Sequence, residues 1–226
     1  MSNLQLNTIE WKVDGRIGHL IMVNEPSNTM SMEFFREMGV VKDMILKNPR
    51  LKAILIYPRG RHFSSGVDLD ELLREISRHP EAEKYLQSNY ASLSFLETLP
   101  IPVISVITGV CLGSALEMAL FSHFRFCGET AVMGLPETTF NLIPGIGGIR
   151  RFANLAGRVN ALDFVLTGRT FDARTALDLG LVDLLIPRKK LIEKALEFAL
   201  WLPGNYVQEM KQVYLKRYGE GTYGIC

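Results

Sequence analysis

Glu117 and Glu137 each follow small or rigid residues, in "CLGSALEMA" and "MGLPETT", at a passage from loop to helix. A carboxyl so placed can work as general base when ionised and as general acid when neutral. Two glycine-bearing turns accompany them. The first is "HFSSGVDL", His62 to Leu69; the second, "TGVCLGSALEMA", contains Glu117 itself. The first amides of a helix have no intrahelical acceptor and carry positive dipole character. Glycine lets a ligand approach them closely. The helix opening near Gly113 and Ser114 can therefore hold an oxyanion, and the turn at Val67, just after Gly66, offers the same. Two amides from different loops, aimed at one thioester oxygen, would make the α-proton acidic. They would also ready a conjugated double bond for attack. Either step then needs an acid or base, and the two glutamates are the candidates.

The elements that must hold these turns are legible as alternating strands and helices. Ile9 to Val13 and Ile17 to Val23 read as two strands joined by the turn "DGR". Ser31 caps a helix from Met32 to Asn48, with Phe35, Met38, Val41 and Ile45 at helical spacing. "KAILIY" and "IPVISVIT" are apolar on both faces, as buried parallel strands require. Helices are expected over Leu69 to Ser77 and over Glu81 to Leu99, the second with Pro80 in its first turn. Ala115 to Phe121 reads as a short helix, then "FRFCG" and "AVMG" as strands. "GGIRRFANLAG" and "NALDFVLTG" are helices with glycine stops. Asp172 caps the helix "DARTALDLG", and "LVDLLIP" is a last strand. Leu191 to Trp201 and Tyr206 to Tyr218 read as terminal helices. Alternation after residue 30 indicates an α/β fold with mostly parallel pairing.

Composition narrows the function classes. The 226 residues are 47% hydrophobic and 22% charged, enough for a core without disulfides or metal. Net charge is +1, so no global field favours nucleic acid or an acidic membrane surface. Cys111, Cys127 and Cys226 form no C-x-x-C pair, which fits a reducing compartment. Neither an N-terminal signal pattern nor a membrane span is expected. The histidines are scattered with no H-x-x-x-H, so no metal site is expected. His62 beside Ser64 and Ser65 suggests a serine hydrolase only weakly, for want of a G-x-S-x-G elbow.

Four segments in order carry a resemblance. "GRHFSSGVDL", "PVISVITGVCLGSALEMAL", "AVMGLPETTFNLIPGIGGIRR" and "LTGRTFDARTALDLGLVD" are similar to motifs of the crotonase superfamily, the enoyl-CoA hydratase/isomerase family. The match runs from about Ile9 to about Tyr218. It implies a ββα spiral core over residues 1–200 and a short, apparently truncated helical tail over 201–226. It implies backbone oxyanion donors at Val67 and Ser114 and a catalytic pair in Glu117 and Glu137. Ser65, Gly66, Asp68, Leu69, Gly113 and Pro136 would line the substrate. The implied reaction is reversible hydration of an enoyl thioester. Double-bond isomerisation, or acyl binding with weak catalysis, are the rivals. The partner would be an acyl-CoA or acyl-carrier-protein thioester, with coenzyme A as part of the substrate and no separate cofactor. A cytoplasmic homotrimer or hexamer in fatty acid metabolism completes the expectation.

Some residues keep two readings. Where the family often has glycine, Ser114 adds a Cβ that narrows the approach. Leu135 is an apolar neighbour that would favour neutral Glu137. Glu117 could simply complement a helix start, and Glu137 could be a first-turn acid. Asp68 could cap the helix that begins near Leu69. Arg59 and Arg61 are equally suited to CoA phosphates and to plain surface charge.

Overall fold

A computed structural model of the chain describes residues 3–78, 82–203, 205–210 and 212. Its main sheet has seven strands: β1 (Asn3–Gln5), β2 (Ile9–Asp14), β3 (Ile17–Met22), β4 (Ala53–Pro58), β5 (Val103–Ile107), β7 (Phe124–Gly128) and β10 (Leu184–Ile186), in the order β1-β2-β3-β4-β5-β7-β10. The pairs β1–β2 and β2–β3 are antiparallel, and every later pair is parallel. A second sheet joins β6 (Val110–Leu112), β8 (Val132–Gly134) and β9 (Phe171–Asp172).

Helices supply the crossovers. They are α1 (Met32–Leu46), α2 (Leu69–Arg78), α3 (Ala82–Thr98), α4 (Ser114–Leu120), α5 (Gly148–Ala156), α6 (Arg158–Thr167), α7 (Ala173–Asp178) and α8 (Leu191–Trp201). Ser31 caps α1 by accepting from the Phe34 amide at 3.3 Å, and Asp172 caps α7 by accepting from Thr175 at 2.8 Å. Such caps contribute about 1 kcal/mol each.

The two-faced apolar strands have a direct explanation. Along β4, Ile54 and Ile56 enter the large core beneath α1, α3 and α4, while Leu55 and Tyr57 enter a second core under α8. Leu191, Ala195 and Ala199 of α8 close that outer face. Both sides of the sheet are thus buried, which a parallel sheet needs. Within the described residues, no helix is long and apolar enough to cross a membrane.

Three strands were not expected: β1, β6 and β9 span only two or three residues and carry no readable period. Elsewhere the expected boundaries shift by a few residues. The strand expected to end at Val23 stops at Met22, and "LVDLLIP" pairs only over Leu184–Ile186. Of the expected helix Tyr206 to Tyr218, residues 206–210 and 212 are helical, and the remainder lies outside the described residues, as does Pro80.

Candidate active site

The turn after β4 is built as a short extra pairing. Ser64 pairs in parallel with Cys111 of β6: the Ser64 amide donates to Val110 O at 3.0 Å, and the Leu112 amide donates to Ser64 O at 3.1 Å. On its other side Val67 pairs with Met30, through Met30 N to Gly66 O at 2.8 Å and Asp68 N to Met30 O at 3.1 Å. Gly66 joins the two pairings at φ +95°, and a Cβ there would stand 2.7 Å from Leu112 O. That same point is 3.6 Å from the Ser114 amide nitrogen. Glycine is therefore what lets the first turn touch the second. The Val67 amide takes no part in its bridge with Met30, and Ser114 stands at the first position of α4. Among the described residues neither amide has an acceptor.

The carboxyls arrive from two further elements. Glu117 stands in the first turn of α4, a helix buried along its whole length. The amides of Ile146 and Gly148 donate to its Oε1 at 2.9 and 2.8 Å, while Oε2 is buried without a partner. Glu137 follows Pro136 on a single 3₁₀ turn, Pro136–Phe140, and both of its carboxyl oxygens are buried without a partner. A Cβ on Gly113 would lie 3.2 Å from Glu137 Oε1, so this acid reaches the turn that opens α4. Burial pushes Glu117 up to about 7, aided by the charge of Glu137. The two amides and the Arg151 guanidinium oppose that rise. Burial alone pushes Glu137 up, also to about 7. Leu135 beside it is fully enclosed.

These groups face one cavity of about 250 Å³. Ser65, Gly66, Val67, Leu69, Gly113, Ser114, Glu117, Pro136 and Glu137 all line it, so nine of the ten residues expected at the site meet there. Asp68 is the exception. Its Oδ1 accepts from the Glu71 amide at 2.9 Å, so it starts α2 instead of facing the cavity. Apolar wall is added by Leu72 of α2 and by Phe140, Leu142, Ile143 and Ile146. A largely apolar wall with a few polar groups suits an apolar ligand portion.

Several residues at or beneath the site escaped the sequence reading. The Ile146 and Gly148 amides that hold Glu117 belong to "GIGG", whose glycines were visible but whose backbone donors leave no side-chain trace. Arg151 lies in the helical run "GGIRRFANLAG" with no sequence signal of its own. It is 1% exposed, lies 3.8 Å over the Phe121 ring and pairs with Glu97. Asn89 of α3 also lines the cavity. Arg59 pairs with Glu10, and neither it nor Arg61 lines the cavity. His62 Nδ1 accepts from the Val110 amide and Ser64 Oγ from the Gly66 amide, so the serine-hydrolase pairing does not form.

A mixed sheet wound with helices, enclosing a loop-built apolar cavity, is the crotonase fold, and the solved structures agree. An enoyl-CoA hydratase of Bacillus anthracis is 29% identical, with a TM-score of 0.80 over 86% of this chain and 76% of that one. An enoyl-CoA hydratase of Geobacillus kaustophilus is 26% identical, with a TM-score of 0.86 over 96% and 88%. One from Thermoplasma volcanium, 24% identical, shares the fold at a TM-score of 0.84 over 95% and 86%. The enoyl-CoA hydratase/isomerase family model matches residues 17–217. The chain belongs to the enoyl-CoA hydratase/isomerase family.

Proposed function

We propose that the protein reversibly hydrates a 2-enoyl thioester, with Glu117 and Glu137 as the acid–base pair and the Val67 and Ser114 amides as oxyanion donors. The observation that carries this reading is the pair itself: two buried carboxyls with unpartnered oxygens facing one apolar cavity. With the thioester oxygen between the two amides, negative charge that develops on the enolate is stabilised by about 3 kcal/mol per donor. The free oxygen of Glu117 and the carboxyl of Glu137 then share one water. The ionised acid takes a proton from it as its oxygen joins the β-carbon. The neutral acid gives a proton to the α-carbon. Dehydration of the 3-hydroxyacyl thioester runs the same steps backward. Two carboxyls that both sit near neutrality are suited to dividing these roles.

The substrate carrier would be coenzyme A or an acyl-carrier protein, with no further cofactor. A homotrimeric or hexameric assembly in the cytoplasm is part of the same reading. Glu117→Gln and Glu137→Gln are each expected to lower kcat by two orders of magnitude or more while the fold persists. Turnover unchanged in both variants refutes the assignment.

One asymmetry supports a second reading. Glu117 is clamped by two amides, whereas neither carboxyl oxygen of Glu137 has a hydrogen-bond partner among the described residues. Glu137 alone could then carry a proton between two carbons, as an isomerase does. Reaction in ¹⁸O-labelled water separates them: hydration places the label on the β-carbon, and isomerisation leaves the product unlabelled.

A further inference from the structure

We propose that Asn89 is a specificity-determining residue that selects acyl chains bearing a neutral oxygen, a hydroxyl or a carbonyl, over plain hydrocarbon chains. This rests on the acyl-thioester reading of the cavity. Asn89 lies midway along α3 and is 4% exposed, yet it lines the cavity. Its backbone carbonyl accepts from the Ser92 hydroxyl at 2.8 Å. Its side-chain amide pairs with no described residue, and the residue is part of the cavity wall. Leu69, Leu72, Phe140, Leu142, Ile143 and Ile146 make the rest of the non-catalytic wall largely apolar.

A carboxamide brings two donors and an acceptor to that wall. With no protein partner among the described residues, water is their alternative partner. An entering hydrocarbon chain displaces the water and returns no hydrogen bond, which weakens binding. A chain with an oxygen at the depth of Asn89 restores the bond. Charge narrows the class further. Among the described residues the lining carries two carboxyls and no Lys, Arg or His, and Arg151 is engaged by Glu97 and the Phe121 ring. An anionic chain end would meet like charge without a counterion, so the matching group is neutral.

The test uses 2-enoyl-CoAs of equal length, one unsubstituted and two bearing a hydroxyl or an oxo group beyond the double bond. In the wild-type protein kcat/KM is expected to favour an oxygenated substrate by roughly tenfold or more. Asn89→Leu should collapse that ratio by about ten- to a hundredfold, and Asn89→Gln should keep part of it. A wild-type ratio near one overturns the proposal before any variant is made. Equal losses on all substrates in Asn89→Leu overturn it too, since they mark a structural role or a contact with the common CoA portion. Calorimetric binding of the corresponding saturated acyl-CoAs separates this from the hydration reading. Oxygen-selective binding without turnover sinks hydration and leaves the assignment of Asn89 standing. Unselective binding with normal turnover does the reverse, and absence of any binding refutes both.

Discussion

At the scale of single residues, the two glutamates stand out by being held for different ends. Glu117 has half of its carboxylate committed to backbone amides, which fixes its direction, while Glu137 is enclosed and unpaired. Both titrate near pH 7, so the pair should lose its protons in two macroscopic steps around neutrality. The fold holds these protons more tightly than the unfolded chain, whose glutamates titrate near 4.5. Between pH 4.5 and about 7 the native state therefore binds more protons, and stability falls as pH rises through that window. Glu137→Gln removes one source of the fall. At pH 8 it should be more stable than wild type by on the order of 2 kcal/mol, and at pH 4 the gain should vanish. Urea unfolding at the two pH values measures it. A gain that persists at pH 4 would mean that burial of charge is not its cause.

At the scale of elements, the start of α5 acts as a bracket for α4. Gly148 packs so close to Glu117 that a Cβ would stand 2.6 Å from its Cγ. Gly148→Ala should push the carboxyl off its amides and lower kcat by about a hundredfold, the scale of a misplacement near 1 Å. Circular dichroism should show the helices retained; a variant with wild-type kcat would deny that the bracket positions Glu117. This element also marks how far the sequence could be read. The long strands and helices were legible because β4 is an unbroken apolar run through Ile54 to Tyr57 and α1 shows a helical period from Phe35 to Ile45. Ser31 and Asp172 announced their helices by side-chain chemistry. The turns at Gly66 and Gly113 and both glutamates were legible as an ordered set of motifs. What stayed hidden depends on contacts across the chain. β6 is a strand because β8 and the Ser64 turn pair with it, and nothing in "VCL" says so. Asn89 reads as one polar position on a helix until its neighbours are known to be a cavity wall. Arg151 is one of two adjacent arginines on a helix, and only the fold shows that Glu97 and Phe121 engage it.

At the scale of the whole molecule, the sheet is closed on both sides, and the site is made where loops leave its strand ends. The turn that presents Val67 is not a free loop. It is stitched to Met30 on one flank and to Cys111 on the other, so it shares the fate of the core behind it. Hydrogen exchange makes that consequence measurable. The amides of Met30, Ser64, Asp68 and Leu112, all bonded in the stitches, should swap deuterium only when the sheet itself opens, at rates like those of β4 and β5. The Val67 and Ser114 amides, with no acceptor among the described residues, should swap far sooner in the free protein and become protected once an acyl thioester seats its oxygen between them.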